Sequence, residues 1–157
     1  MLSDSLTIRK IISKITSGQI RIPAFQRGFV WSPEQVALLL DSIYKGFPIG
    51  SVLLWRTRER LEVEKNLDNF TLPEPQKDYP IDYVLDGQQR LTSIFSVFQT
   101  DLEPENDEGW LDIYFSFTSD NDIHESRFTP LKKEDFDRNK YFPMSVMLDS
   151  VKYRQAC

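Results

Sequence analysis

A buried strand that turns abruptly into a helix constrains this chain more than any other stretch. Ile81, Tyr83, Val84 and Leu85 are β-branched, aromatic or aliphatic, the side chains a central strand requires. Leu91, Ile94, Phe95 and Phe98 then fall at i, i+3, i+4 and i+7, one apolar face of a helix. Between them runs Asp86-Gly87-Gln88-Gln89-Arg90, without a single apolar side chain. A strand-to-helix junction presents backbone N–H groups and the positive end of the helix dipole, where an anion can dock. Gly87 permits close backbone approach, and the Arg90 guanidinium suits a phosphate. The same residues also fit a plainer role, with Asp86 capping the helix and Gln88, Gln89 and Arg90 solvated.

Composition narrows the classes. A chain of 157 residues, 40% hydrophobic and 13% aromatic, is ordinary for a globular protein and fits one domain. No apolar run approaches the roughly 20 residues that span a bilayer, so no membrane association is expected. Met1-Leu2-Ser3-Asp4-Ser5 lacks the basic and apolar regions of a secretory signal. The only cysteine is Cys157, which rules out an internal disulfide and fits a reducing cytoplasm. The formal net charge of −5 argues against a surface built for general nucleic-acid binding, while leaving room for a local basic groove. One histidine, His124, cannot assemble a His-Asn-His nuclease centre or a His-rich zinc site. No Asp/Glu-x-Lys triplet occurs either. DNA cleavage, if the whole protein performs it, is expected in sequence outside this chain.

In chain order, Ser5 or Thr7 can cap a helix with Ile8, Ile11, Ile12 and Ile15 on one face and Gly18 as its stop. Gln19 to Ile22 alternates polar and apolar residues, the pattern of a half-buried strand. Phe25 to Trp31 places Gln26 and Arg27 among aromatic rings. Such an arginine can grip a nucleotide, or simply stack on a core ring. Ser32-Pro33-Glu34-Gln35 starts a helix with a capping box, Val36, Leu39, Leu40 and Ile43 form its apolar face, and Gly46 ends it. Gly46 to Ser51 can line a pocket through Gly46, Gly50 and Ser51, or act as a rigid turn that aims a buried strand over Ser51–Trp55. Arg56 to Pro80 mixes charges and reads as a surface arm and loop without chemistry. Asp101 to Gly109 is an acidic loop, Leu111 to Phe117 a strand, and Glu125 to Leu131 its hairpin partner. Tyr141 to Leu148 returns to apolar character, and the chain stops at Cys157 where a further helix could begin. A fragment of a longer protein, missing its C-terminal region, is therefore expected.

Asp86-Gly87-Gln88-Gln89-Arg90-Leu91-Thr92-Ser93, preceded by an apolar strand, resembles the signature of the GmrSD-type domain. Ile22 to Ser32 and Leu40 to Ser51 resemble two further blocks of that family, in the same order. The resemblance implies an α/β (α+β) fold of ParB/sulfiredoxin-like type, a mixed sheet with flanking helices, as a single domain over residues 1–157. It also implies the N-terminal part of a modification-dependent restriction or anti-phage protein, in which nucleotide binding or hydrolysis controls a separate nuclease module.

On this basis the expected ligand is a nucleoside triphosphate with Mg²⁺, its base unspecified. Arg90 and Arg27 would take phosphate oxygens, with Gln26, Gly46, Gly50, Ser51, Gly87 and Thr92 completing the pocket. Asp86 would hold Mg²⁺ directly or through water, and Gln88 or Gln89 would orient the attacking water. DNA would be contacted through domains outside this chain, and assembly as a homo-oligomer stays open. The rival expectation is a non-catalytic DNA-sensing or protein-interaction module, whose DNA affinity would fall steeply with salt. A sulfiredoxin-like redox activity needs a cysteine in the turn, and Asp86–Arg90 has none.

Overall fold

A computed structural model describes residues 7–24, 31–63, 66–67, 70–72, 80–99, 112–117, 127–149 and 154. The elements are α1 (Ile8–Thr16), β1 (Ile20–Arg21), α2 (Pro33–Lys45), β2 (Leu53–Thr57), β3 (Asn66–Leu67), β4 (Phe70–Thr71), β5 (Ile81–Asp86), α3 (Gln88–Phe98), β6 (Asp112–Ser116), β7 (Phe128–Leu131) and β8 (Tyr141–Pro143). Two compact units share them. The first holds α1, β1 to β5 and α3 as far as Ser96; the second holds α2 with the residues to Gly50, the end of α3, and β6 to β8. Mixed parallel and antiparallel pairing together with helices gives the α+β class expected from the sequence.

In the first unit, Thr7 caps α1 by accepting the Lys10 N–H at 3.2 Å, and Ile12 and Ile15 are buried. The Gln19 N–H returns to the Lys14 carbonyl at 2.8 Å, which closes the helix and turns the chain into β1. β5 then pairs on both sides, parallel to β1 and antiparallel to β2, in the order β1-β5-β2. Ile81, Tyr83 and Val84 are accordingly at most 2% exposed. From α3, Leu91, Ile94 and Phe95 are buried, and Phe95 meets Phe70 of β4 edge to face at 5.9 Å. The Tyr83 hydroxyl accepts from the Leu61 N–H at 3.0 Å and donates to the Glu59 carbonyl at 3.1 Å. That phenol ties the segment after β2 back to the central strand.

Two expectations for this unit need correction. The half-buried alternation over Gln19–Ile22 gives way to burial of both β1 residues, with Arg21 only 2% exposed. Its guanidinium donates to the carbonyls of Ile15 and Ile20, so the charge is hydrogen-bonded inside and sits at the negative end of α1. The strand expected to be buried at Ser51–Trp55 is instead β2, beginning at Leu53, with Leu53 47% and Trp55 43% exposed. Lying at the edge of this sheet, β2 pairs with β5 along one side. The charged stretch that begins at Arg56, within β2, also does more than expected. Arg56 makes a two-point pair with Asp82, Nε to Oδ1 at 2.9 Å and Nη2 to Oδ2 at 3.1 Å.

In the second unit, α2 starts as its sequence dictates. Gln35 N–H donates to Ser32 Oγ at 3.3 Å, Ser32 N–H donates to Gln35 Oε1 at 2.8 Å, and Pro33 takes the first helical position. Val36, Leu39 and Leu40 are buried. Gly46 ends the helix in the left-handed region at φ 74°, which a side chain would resist. β6 pairs with β7 as the sequence indicates, and also with β8, giving an antiparallel sheet β7-β6-β8. Tyr44 of α2 packs edge to face on Phe115 and Phe128, at 5.4 and 5.9 Å. The buried Asp41 carboxylate accepts from the Arg127 N–H at 3.2 Å and pairs with Lys45 Nζ at 2.8 Å.

Tyr83→Phe should leave the fold intact but orphan both groups its hydroxyl satisfies, at a cost of about 1–2 kcal/mol. For a chain of this size the thermal midpoint should fall by about 3–6 °C. An unchanged melting curve would show that the phenol does not tie that segment down.

Candidate functional site

The β5–α3 junction is built by a change of backbone geometry over one residue. β5 keeps its side chains buried from Ile81 to Val84, then releases Leu85 and Asp86 to solvent. Gly87 follows at φ 91°, and its carbonyl accepts the Leu91 N–H at 3.0 Å, which begins α3. The N–H groups of the first helical turn and the positive end of the dipole therefore lie at this turn. α3 carries no acidic residue in that turn, where Arg90 adds a further positive charge.

Asp86 is exposed, and its Oδ1 accepts the Gly87 N–H at 2.9 Å. The carboxylate thus braces the turn, and an exposed single acid of this kind fits a Mg²⁺ held mainly by phosphates and water. Gln88 and Gln89 are half-buried, and the Gln89 carbonyl accepts the Ser93 hydroxyl at 2.7 Å. Arg90 folds back over Gly87 and donates from Nη2 to the Ser51 carbonyl at 2.7 Å. A Cβ added to Gly87 would lie 3.0 Å from Arg90 Nη2, 3.0 Å from Val52 Cγ2 and 3.3 Å from the Ser51 carbonyl. Two chain stretches, Ser51-Val52 and the start of α3, therefore converge on a residue that has no side chain.

Among the residues expected to form the pocket, Ser51, Asp86, Gly87 and Arg90 come together here. Ser51 takes part through its main-chain carbonyl, which no sequence pattern announces, and Val52 joins it without having been singled out. Thr92 is only 2% exposed. Gly46 and Gly50 both adopt positive φ, 74° and 87°, in the second unit. Gln26, Arg27 and His124 lie outside the described residues. Among the described residues no cluster of three or more His, Cys, Asp or Glu side chains could hold a metal ion on its own, and no helix is long and apolar enough to cross a membrane.

A polar cleft of about 330 Å³ opens at the other end of β5, lined by Ser17, Gly18, Gln19, Arg56, Ile81 and Asp82. The length of β5 separates it from the turn, about 16 Å at the rise of an extended chain. No residue expected from the sequence to bind a ligand falls in this cleft.

The family model of the GmrSD restriction endonuclease N-terminal domain matches residues 8–153. An uncharacterised protein of Methanocaldococcus jannaschii is 31% identical over 101 residues, which are 59% of this chain and 17% of that protein. The chain therefore spans a small part of the length of the curated relative it matches.

Gly87→Ala should destabilise the protein by about 1–3 kcal/mol, because the residue needs a positive φ and its methyl would press on Arg90, Val52 and Ser51. Urea unfolding measures this as a lower midpoint with an unchanged slope. A variant as stable as wild type would mean that the turn can relax without Arg90 leaving Ser51.

Proposed function

The chain belongs to the family of GmrSD restriction endonuclease N-terminal domains, a component of restriction proteins, and on that premise we propose that it binds and hydrolyses a nucleoside triphosphate to regulate a nuclease module elsewhere in the same protein. The supporting observation is the position of Arg90. Its guanidinium is fixed against the Ser51 carbonyl at the positive end of α3, over a glycine whose missing side chain lets it lie there. Charge, dipole and main-chain N–H groups there act on the same small volume, the combination that favours a phosphate chain.

Phosphoryl transfer to water depends mainly on positioning and on neutralising charge, so the turn needs little covalent machinery. Arg90 binds phosphate oxygens and offsets the charge that gathers on them as the bond to the terminal phosphorus breaks. Asp86, already braced on the Gly87 N–H, holds Mg²⁺, which when bound draws charge from the phosphate oxygens. The amide of Gln88 or Gln89 orients the water whose oxygen attacks the terminal phosphorus, yielding nucleoside diphosphate and inorganic phosphate. Arg27 and Gln26 supply the second polar contact to the nucleotide. The overall architecture on this reading is ParB-like, the domain works in the cytoplasm, and DNA is engaged by other parts of the full protein.

Thermal unfolding with ATP, GTP, CTP or UTP, each with and without Mg²⁺, tests the proposal. A ligand at 100 times its dissociation constant should add about 2.7 kcal/mol, a rise of about 5–10 °C for a chain of this size. The rise should favour one base and disappear in Arg90→Ala. Four flat profiles, or a rise that survives in Arg90→Ala, would contradict the assignment.

A further inference from the structure

We propose that Arg90 is a ligand-released latch on the main chain that leads into β2, so that a phosphate bound at the turn loosens the edge of the sheet. The proposal rests on the nucleotide reading above and adds a regulatory consequence to it. Arg90 Nη2 donates to the Ser51 carbonyl at 2.7 Å, joining the first turn of α3 to a residue 39 positions earlier in the chain. The segment it holds is weakly anchored by other means. Val52 and Leu53 are 38% and 47% exposed, and the pairing of β2 with β5 slips between Leu53 and Leu54. Leu53 pairs with Asp86 itself, so the start of β2 and the polar turn are neighbours across the strand pair.

A phosphate arriving at the turn competes for the donor that the Ser51 carbonyl now occupies. The carbonyl is neutral, whereas a phosphate oxygen carries charge and can take two parallel N–H bonds from one guanidinium. Transfer of Nη2 to phosphate leaves the Ser51 carbonyl at an exposed position where water can replace the lost donor, so the exchange orphans no buried group.

Gly87 sets the tolerance of the latch. A methyl there would stand 3.0 Å from Arg90 Nη2 and 3.3 Å from the Ser51 carbonyl, wedging the pair apart while keeping the guanidinium. Gly87→Ala should thus imitate the released state without ligand, and Arg90→Gln should do the same by removing the donor fork.

Hydrogen–deuterium exchange of a peptide covering Ser51–Leu54, measured beside nucleotide binding on the same chain, tests this. With the preferred Mg²⁺–nucleotide at saturation, exchange there should quicken by about fivefold or more. Without nucleotide, Arg90→Gln and Gly87→Ala should already show the fast rate, while a peptide over the buried residues 81–84 stays protected as a check on folding. Bound nucleotide with unchanged or slower exchange at Ser51–Leu54 would overturn the latch and leave the nucleotide reading standing. Wild-type rates in folded Arg90→Gln would also overturn it. Absence of nucleotide binding would overturn both together.

Discussion

A strand held between two others organises what lies around it, and β5 takes that place in its unit, paired with β2 from Ile81 to Asp86 and with β1 at Asp82 and Tyr83. β1 lies on one flank and β2 on the other, and Ile81, Tyr83 and Val84 are all buried. The Tyr83 hydroxyl fastens the segment at Glu59 and Leu61, and Asp82 fastens Arg56 of β2. Burial stops at Leu85, so the strand delivers Asp86 to solvent at a fixed place and direction. The polar turn thus follows directly on a buried, paired stretch of strand.

The two ends of β5 carry different electrostatics. At its start, Arg56 commits a two-point contact to Asp82, so the cleft there is lined by a matched pair of opposite charges. At its end, Arg90 gives a donor to a neutral main-chain carbonyl, beside the positive end of a helix. A polyanion gains more from the second arrangement than from the first.

Features fixed by neighbouring residues were legible in the sequence. The Ser32–Gln35 capping box, the Gly46 helix end and the switch from strand to helix period around Asp86–Arg90 all lie within a few residues of their causes. Features fixed by distant partners were not. Arg21 looks like the polar member of an alternating strand, yet it is buried because the end of α1 supplies acceptors for it. Leu53 and Trp55 look like core, yet both are exposed on a strand at the edge of its sheet. β8 escaped notice because three residues are too few to establish a period. At the site, Asp86, Gly87 and Arg90 could be picked out by residue type and spacing, while the acceptor of Arg90 could not. A main-chain carbonyl 39 residues away leaves no mark on composition or periodicity.

Whether a nucleotide occupies the β5–α3 turn is the question on which this account stands. Backbone amide chemical shifts of isotopically labelled protein, followed while the nucleotide selected by thermal shift is added with Mg²⁺, answer it residue by residue. Saturable shifts centred on Asp86 to Arg90 and on Ser51 to Leu53 are expected, with Ser17 to Gln19 unmoved. Shifts centred instead on Ser17 to Gln19 and Arg56 would place the ligand in the cleft at the other end of β5 and contradict the assignment of Arg90.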